Sequence, residues 1–176
     1  TLFLVDPKAK GVKIERTAMV DAHNAARITF NDAEVTADNV LGEVDQGGAV
    51  LGGVLNIGRA VVASEMLGAG DESFSRTLQY LKERKQFGKL IGEFQVLQHR
   101  ISHLYIELEI TRAVILKALQ TLDEDPANAD EIVAVAKARA GTTGTLAVQE
   151  GLQMHGGIGM TDQFDIGFFM KRMRVC

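Results

Sequence analysis

One stretch decides the fold: Arg84-Lys85-Gln86-Phe87-Gly88-Lys89-Leu90-Ile91-Gly92-Glu93-Phe94-Gln95. Apolar residues recur at helical spacings before it, over residues 46–83, and again after it, over residues 94–122. The pair Phe87-Gly88 interrupts this periodicity, because glycine at a helix end adopts the left-handed conformation without a Cβ penalty. The stretch therefore predicts a corner between two long helices.

The same stretch carries three cations within six residues, Arg84, Lys85 and Lys89. The C-terminal end of a helix favours positive charge, so one interpretation is simply a charged helix–helix corner. The other is an anion site, since an arginine fork beside an aromatic ring suits the phosphate and the ring of a nucleotide. The residues alone leave both interpretations open.

Two further helical patterns follow along the chain. Asn128-Ala129-Asp130-Glu131 is predicted to be a capping box that opens a helix running to about Met154. Glycines at 156, 157 and 159 end this helix, and a last amphipathic segment contains Ile166 and Phe169. Three long helices and a truncated fourth predict an up-down helical bundle over residues 46–176.

The N-terminal part has a different period. Residues 12–16 and 26–30 alternate apolar and polar side chains, the pattern of half-buried strands, and shorter strands are predicted at residues 2–5 and 33–35. So few strands form only part of a sheet. The expectation is thus an α+β chain, mainly α, in which residues 1–45 are the second half of a β-domain.

Composition excludes several classes of function. The 176 residues carry a net charge of −4 with no basic block, which argues against a nucleic-acid surface. No membrane span and no signal peptide are predicted. The single cysteine, Cys176, fits a reducing compartment: the cytoplasm, or the mitochondrial matrix in a eukaryote. His99 and His103, four apart on one helix, lack a third ligand, so no metal is predicted.

Two motifs together carry a family resemblance. Arg-x-x-Phe-Gly followed by Phe-Gln lies at the corner, and Gln153-Met154-His155-Gly156-Gly157-Ile158-Gly159-Met160-Thr161 lies about two long helices later. In this order and at this separation they resemble the C-terminal helical domain of the acyl-CoA dehydrogenases. The resemblance covers essentially all 176 residues. It implies the end of a middle β-domain, followed by the C-terminal four-helix domain.

The resemblance also implies FAD as cofactor. In that family FAD lies between the β-domain and the helical domain, and its adenosine-diphosphate end reaches the helical domain of a neighbouring subunit. By matching motif, Arg84 is expected to pair with the pyrophosphate, Phe87 to pack beside the cofactor and Gln95 to hydrogen-bond it. Three residues of the second motif are expected to line the adenosine end: Gln153, Gly156 and Gly157.

On the substrate side, the family usually has an acidic or polar residue and then an arginine facing the acyl-CoA. Asn56 and Arg59 match these positions, although Asn56 stands where an aspartate is common. Most members carry the catalytic glutamate in a loop that would lie beyond Cys176, and a minority carry it at the position of Gly58, which cannot act as a base. No catalytic base is therefore expected within this chain.

The expected activity is α,β-dehydrogenation of an acyl-CoA thioester to a trans-2-enoyl-CoA, as in fatty-acid β-oxidation, with electrons passed to an electron-transfer flavoprotein. A homodimer or homotetramer is expected, and the chain by itself is expected to be inactive. Two alternatives remain open: a flavin oxidase or monooxygenase of the same fold, and a non-catalytic flavin-binding subunit of a hetero-oligomer such as a hetero-tetramer.

Overall fold

Four helices make up most of the chain in a computed structural model, which describes residues 1–176. They are α1 (Gly47–Glu83), α2 (Gln95–Glu124), α3 (Asp130–His155) and α4 (Ile166–Met173). The chain forms two compact units, Thr1–Leu55 and Asn56–Cys176, and the division falls inside α1. The predicted fold class, mainly helical with short antiparallel strands, is confirmed.

The first unit contains two antiparallel strand pairs. β2 (Val12–Ala18) pairs with β3 (Asn24–Phe30), and β1 (Leu2–Phe3) pairs with β4 (Val40–Leu41). The strand predicted at residues 33–35 is wrong. Asp32 has a positive φ of 47°, and the amide of Thr36 donates to the Asn39 side chain at 2.9 Å, so this part of the chain turns instead of pairing.

The second unit has its core where α1, α2 and α3 meet. Alanines there allow close helix approach, and larger side chains fill the remaining space. The side chains buried to within a few per cent include Ala63, Leu104, Leu108, Ile115, Val133 and Ala147. Polar groups in this core are paired, as burial requires: Ser73 Oγ donates to the Ala147 carbonyl at 3.3 Å, and the hydroxyls of Thr111 and Thr143 lie 2.8 Å apart.

The start of α3 differs from its predicted capping box. A short 3₁₀ turn over Pro126–Asn128 precedes it, and the Asn128 side chain donates to Asp125 at 2.9 Å instead of capping the helix. Ala129 occupies the N-cap position without a side-chain hydrogen bond. Asp130, the first residue of α3, reaches across to α1, where it accepts a hydrogen bond from Asn56.

The predicted corner between α1 and α2 is a small hairpin. β5 (Lys85–Gln86) and β6 (Lys89–Leu90) pair antiparallel, and the turn consists of Phe87 and Gly88 with φ of 55° and 81°. Two successive left-handed residues match the twist of the flanking strands. The backbone of Arg84 closes the hairpin, since its carbonyl accepts from the Ile91 amide at 2.9 Å.

Helix α1 is apolar along much of its length. By length and composition alone it could cross a membrane, with a mean hydropathy of 1.4 over an 18-residue window, of which 22% is buried in this chain. One such helix is weak evidence, because long helices of water-soluble folds satisfy the same criterion. The absence of a membrane span stays a prediction.

Candidate functional site

A cavity of about 410 Å³ opens between the C-terminal half of α1 and the segment that joins α3 to α4. Its volume lies within the range of small-molecule sites, about 300–1,000 Å³. Ring side chains form one part of its lining and charged side chains another. The lining residues are Arg76, Gln79, Tyr80, Glu83, Arg84, His155, Phe164, Asp165 and Ile166.

Three rings pack against one another in this wall. Tyr80 stacks on His155 with ring centroids 4.4 Å apart and an interplanar angle of 23°. Phe164 meets both rings edge-on, at 5.8 Å from Tyr80 and 5.7 Å from His155. The His155 ring is oriented by the Gly151 carbonyl, 2.7 Å from Nδ1, so Nδ1 carries the donated proton. These three rings, called the ring wall below, are therefore held in place by one another and by the Gly151 carbonyl.

The two arginines of the cavity differ in their partners. Arg76 is paired within the chain, because its Nε donates to Glu72 at 2.7 Å and its Nη1 to Asp165 at 2.5 Å. The hydrogen bond to Glu72 is the main cause that raises the pKa of Arg76 above its ordinary value. Desolvation lowers this pKa, and the charge of Asp165 raises it. Arg84 is exposed and makes no ion pair in this chain. Its guanidinium is thus available for an anion.

Phe87, at the tip of the corner hairpin, is 90% exposed and left-handed. Its ring touches the chain through an edge contact with Phe94, at 6.1 Å between centroids. A bulky residue with positive φ is a genuine conformational outlier, at a cost of order 1–3 kcal/mol. An exposed apolar ring held at such a cost is typical of a surface that contacts something outside the chain.

The second motif places open backbone at the end of α3. Gly156 caps this helix with φ of 67°, and its amide donates to the carbonyls of Gln153 and Leu152. A Cβ at Gly156 or Gly157 would meet no atom within 4 Å. The exposed backbone here leaves room for a ligand to approach closely.

The predicted cofactor residues are only partly brought together. Arg84 lines the cavity, and Gly156 directly follows His155, which also lines it. Phe87, Gln95 and Gln153 are exposed and lie outside that lining. Their cofactor roles stay predictions.

The predicted substrate residues form a separate group on α1. Asn56 is buried, with 5% of its surface exposed, and accepts a hydrogen bond from Arg59 Nη1 at 3.2 Å. Arg59 itself is exposed. A Cβ at Gly58 would meet nothing within 4 Å, so this position faces open space.

Sequence reasoning missed the ring wall. Tyr80 lies near the end of the helical pattern over residues 46–83 and His155 lies in the second motif, and neither signal indicates that the two rings stack. The available signal was the spacing of Arg76, Tyr80 and Arg84, which are four apart and so share one face of a helix. Phe164 precedes α4 in an irregular segment, where no period indicates its direction.

Comparison with known proteins assigns the family. Residues 45–176 match the family model described as the C-terminal domain of acyl-CoA dehydrogenase. The chain belongs to the acyl-CoA dehydrogenase family. It is 31% identical, over 99% of its length, to the mitochondrial short/branched chain specific acyl-CoA dehydrogenase of Bos taurus, of which it covers 41%.

Two further matches illustrate the breadth of the acyl-CoA dehydrogenase family. CarC, a subunit of the caffeyl-CoA reductase–Etf complex of Acetobacterium woodii, is 30% identical over 98% of the chain, which covers 46% of CarC. A glutaryl-coenzyme A dehydrogenase, solved as its glutaryl-CoA complex, superposes with a TM-score of 0.91 at 26% identity, over 97% of this chain and 44% of that one. The chain thus spans less than half the length of these relatives.

Proposed function

We propose that this chain supplies the helical domain of an FAD-dependent acyl-CoA dehydrogenase, which oxidises an acyl-CoA thioester to a trans-2-enoyl-CoA. One observation carries the proposal: the unpaired guanidinium of Arg84 lines a ring-walled cavity next to the open backbone of Gly156. Family membership supports this reaction class, because the printed names of the relatives above refer to CoA thioesters or to a complex with Etf.

The residues present fit the adenosine-diphosphate end of FAD. A dinucleotide of this kind offers a pyrophosphate, which needs a cation and backbone that can come close, and a planar base, which packs on rings. Arg84 supplies the cation, Gly156 and Gly157 supply backbone with no Cβ in the way, and Tyr80 supplies an apolar ring. Phe87 adds a second exposed ring at the corner.

In this proposal each predicted cofactor residue has its own binding role. Arg84 pairs with the pyrophosphate, while Gln95 and Gln153 donate to or accept from polar atoms of the cofactor at the ends of α2 and α3. The chemistry that FAD would supply when bound is an acceptor for the hydride that leaves the β-carbon of the thioester. Arg76 stays paired to Glu72 and Asp165 and keeps the segment after α3 in place, so that the ring wall is formed before the cofactor arrives.

The substrate side rests on α1. Arg59 is proposed to face the acyl-CoA, since its guanidinium is exposed and fixed at one nitrogen by Asn56. Gly58 has no side chain to remove the α-proton, so the base is proposed to come from a residue outside this chain. An electron-transfer flavoprotein as acceptor, a homodimeric or homotetrameric assembly, and action in the cytoplasm or mitochondrial matrix belong to the same proposal.

A second candidate is a non-catalytic flavin-binding subunit of a hetero-oligomeric dehydrogenase. The open position of Gly58 favours it, because the alternative place for a catalytic glutamate holds none. A flavin oxidase or monooxygenase of the same fold would use the same cofactor residues. The reaction with acyl-CoA separates the three.

The cofactor part is tested with the full-length protein and Arg84→Ala. Removing a charge-assisted bond to phosphate, worth about 1.5–3 kcal/mol, should weaken FAD retention about 10- to 100-fold. Lys82→Ala is the matched control, since it removes an exposed cation two residues earlier, in the last turn of α1. Retention is measured by the visible spectrum after dilution and ultrafiltration. Equal loss of flavin in both variants would contradict the role of Arg84.

The reaction is tested by the visible spectrum of the full-length holoprotein under anaerobic conditions, with a panel of acyl-CoAs. Bleaching of the flavin by one of them, with an enoyl-CoA product, supports the dehydrogenase. A flavin that every acyl-CoA leaves yellow supports the non-catalytic subunit. Bleaching that reverses rapidly in air, with peroxide released, supports the oxidase.

A further inference from the structure

Asn56 uses both ends of its side-chain amide. It is buried on α1, its Nδ2 donates to the carboxylate of Asp130 on α3, and its Oδ1 accepts from Arg59 Nη1 at 3.2 Å. A carboxylate can only accept and a guanidinium can only donate, so these partners permit a single orientation of the amide. The chain Asp130–Asn56–Arg59 is therefore a directed relay of hydrogen bonds.

The relay puts a carboxylate near Arg59 without an acid at position 56. In the family that the sequence resembles an aspartate is common at this position, and this chain has an amide. A second carboxylate at position 56 would lie within hydrogen-bond distance of Asp130, where two like charges disfavour one another. The negative charge of this group of residues is therefore on α3, at Asp130, and not at position 56 of α1. There Asp130 occupies the first helical residue, a position that favours an acid.

We infer that Asp130 is a positioning residue, which holds Asn56 so that Asn56 holds the Arg59 guanidinium toward the acyl-CoA. This inference rests on the proposed function for the role of Arg59, but not for the relay itself. It also reassigns Asn56: with its donor given to Asp130 and its acceptor to Arg59, the amide acts on substrate through Arg59.

The relay predicts a swap experiment in the full-length holoprotein. Asp130→Asn should raise KM for the acyl-CoA about fivefold with kcat little changed, because the amide oxygen at position 130 can still accept from Asn56 but no longer carries a charge. Asn56→Asp should cost at least as much, because it opposes two carboxylates. The double variant should return KM to within about twofold of the parent, since amide and carboxylate exchange places and every donor again meets an acceptor.

Two controls separate positioning from a merely structural role. Glu131→Gln removes the neighbouring acid in the same helix turn and should leave KM unchanged. In an Arg59→Ala background, Asp130→Asn should have no further effect on KM, because Asn56 then has no guanidinium to hold toward the substrate. Three results would overturn the inference. The KM of Asp130→Asn could equal that of Glu131→Gln, or the KM of the double variant Asn56→Asp/Asp130→Asn could fail to return toward the parent value. The third is an effect of Asp130→Asn on KM that is as large in the Arg59→Ala background as in the parent.

A protein that turns over no acyl-CoA would refute the proposed function but not the hydrogen-bond relay, and the same variants then test the relay through stability. The melting temperatures of Asp130→Asn, Arg59→Ala and their double variant then form a cycle. Non-additive shifts support the relay, and additive shifts overturn it.

Discussion

The hydroxyl pair between α2 and α3 gives a sharp test of the core. Thr111 Oγ1 donates to the Glu107 carbonyl at 2.7 Å, so its only proton is used, and Thr143 must donate the 2.8 Å bond between the two hydroxyls. Both residues are about 1% exposed. The two threonines are therefore not equivalent, although each contributes one hydroxyl to the same contact.

Replacement by valine keeps the shape and removes one hydroxyl. Thr111→Val leaves the buried Thr143 donor without its acceptor. Because that hydroxyl can rotate toward a carbonyl of its own helix, the cost should be the lower part of the usual range, about 1–2 kcal/mol. Thr143→Val leaves Thr111 bonded to Glu107 and should cost about 0.5 kcal/mol. The double variant should be no less stable than Thr111→Val.

Urea unfolding of the parent and the three variants measures these differences as shifts in midpoint at constant slope. In a thermal scan, Thr111→Val should lower Tm by about 2–8 °C, taking about 2–4 °C per kcal/mol for a chain of this size. A Thr143→Val variant that is the less stable of the two, or a double variant with strictly additive losses, would refute the assigned direction of the bond.

Three further predictions concern glycines, the corner and an ion pair. Gly151→Ala should destabilise the fold by about 1–3 kcal/mol, because the new Cβ would lie 2.6 Å from Ser73 Oγ. Gly141→Ala in the same helix meets open space and should stabilise the fold by about 0.5–1 kcal/mol. Urea midpoints of the two variants that move in the same direction would contradict this. Phe87→Gly should raise the Tm of the apoprotein, since it removes about 1 kcal/mol of left-handed strain, yet weaken FAD retention; a loss of Tm would show that the ring is structural. The hydrogen bonds to Asp71 raise the pKa of Arg112 above its ordinary value, so their contribution is present wherever Asp71 is ionised and would fade on the alkaline side only as Arg112 itself loses its proton. The Tm difference between parent and Arg112→Gln should therefore stay small and constant from about pH 6 to 9, and a difference that changes within that window would be inconsistent.

The sequence predicted the helices well because their signals are local. Periodicity and the glycine breaks located α1, α2 and α3 to within a few residues, and Phe87-Gly88 correctly marked the corner. The strand predicted at residues 33–35 failed because a side-chain hydrogen bond, from the amide of Thr36 to Asn39, outweighed a weak alternation of three residues.

The candidate site was less predictable, since it depends on contacts between distant residues. Arg84 could be selected from its motif, but the stacking of Tyr80 on His155 joins residues 75 positions apart, and no local pattern contains it. The same holds for Asn56 and Asp130. A helix-start signature pointed to Asn128 as a cap, whereas the acid two residues later found its partner on another helix.

The corner hairpin also bears on the order in which the chain folds. Its two strands are joined through residues 85–90, so it can form without any contact between distant parts of the sequence. Hairpins of this kind close in about 1–10 μs, and low contact order is associated with fast folding. The Arg84 backbone is fixed as the hairpin closes, by Tyr80 on one side and Ile91 on the other. The backbone of the proposed anion-binding residue Arg84 is therefore expected to be fixed early in folding. The ring wall is expected to form later, when α3 and α4 pack against α1.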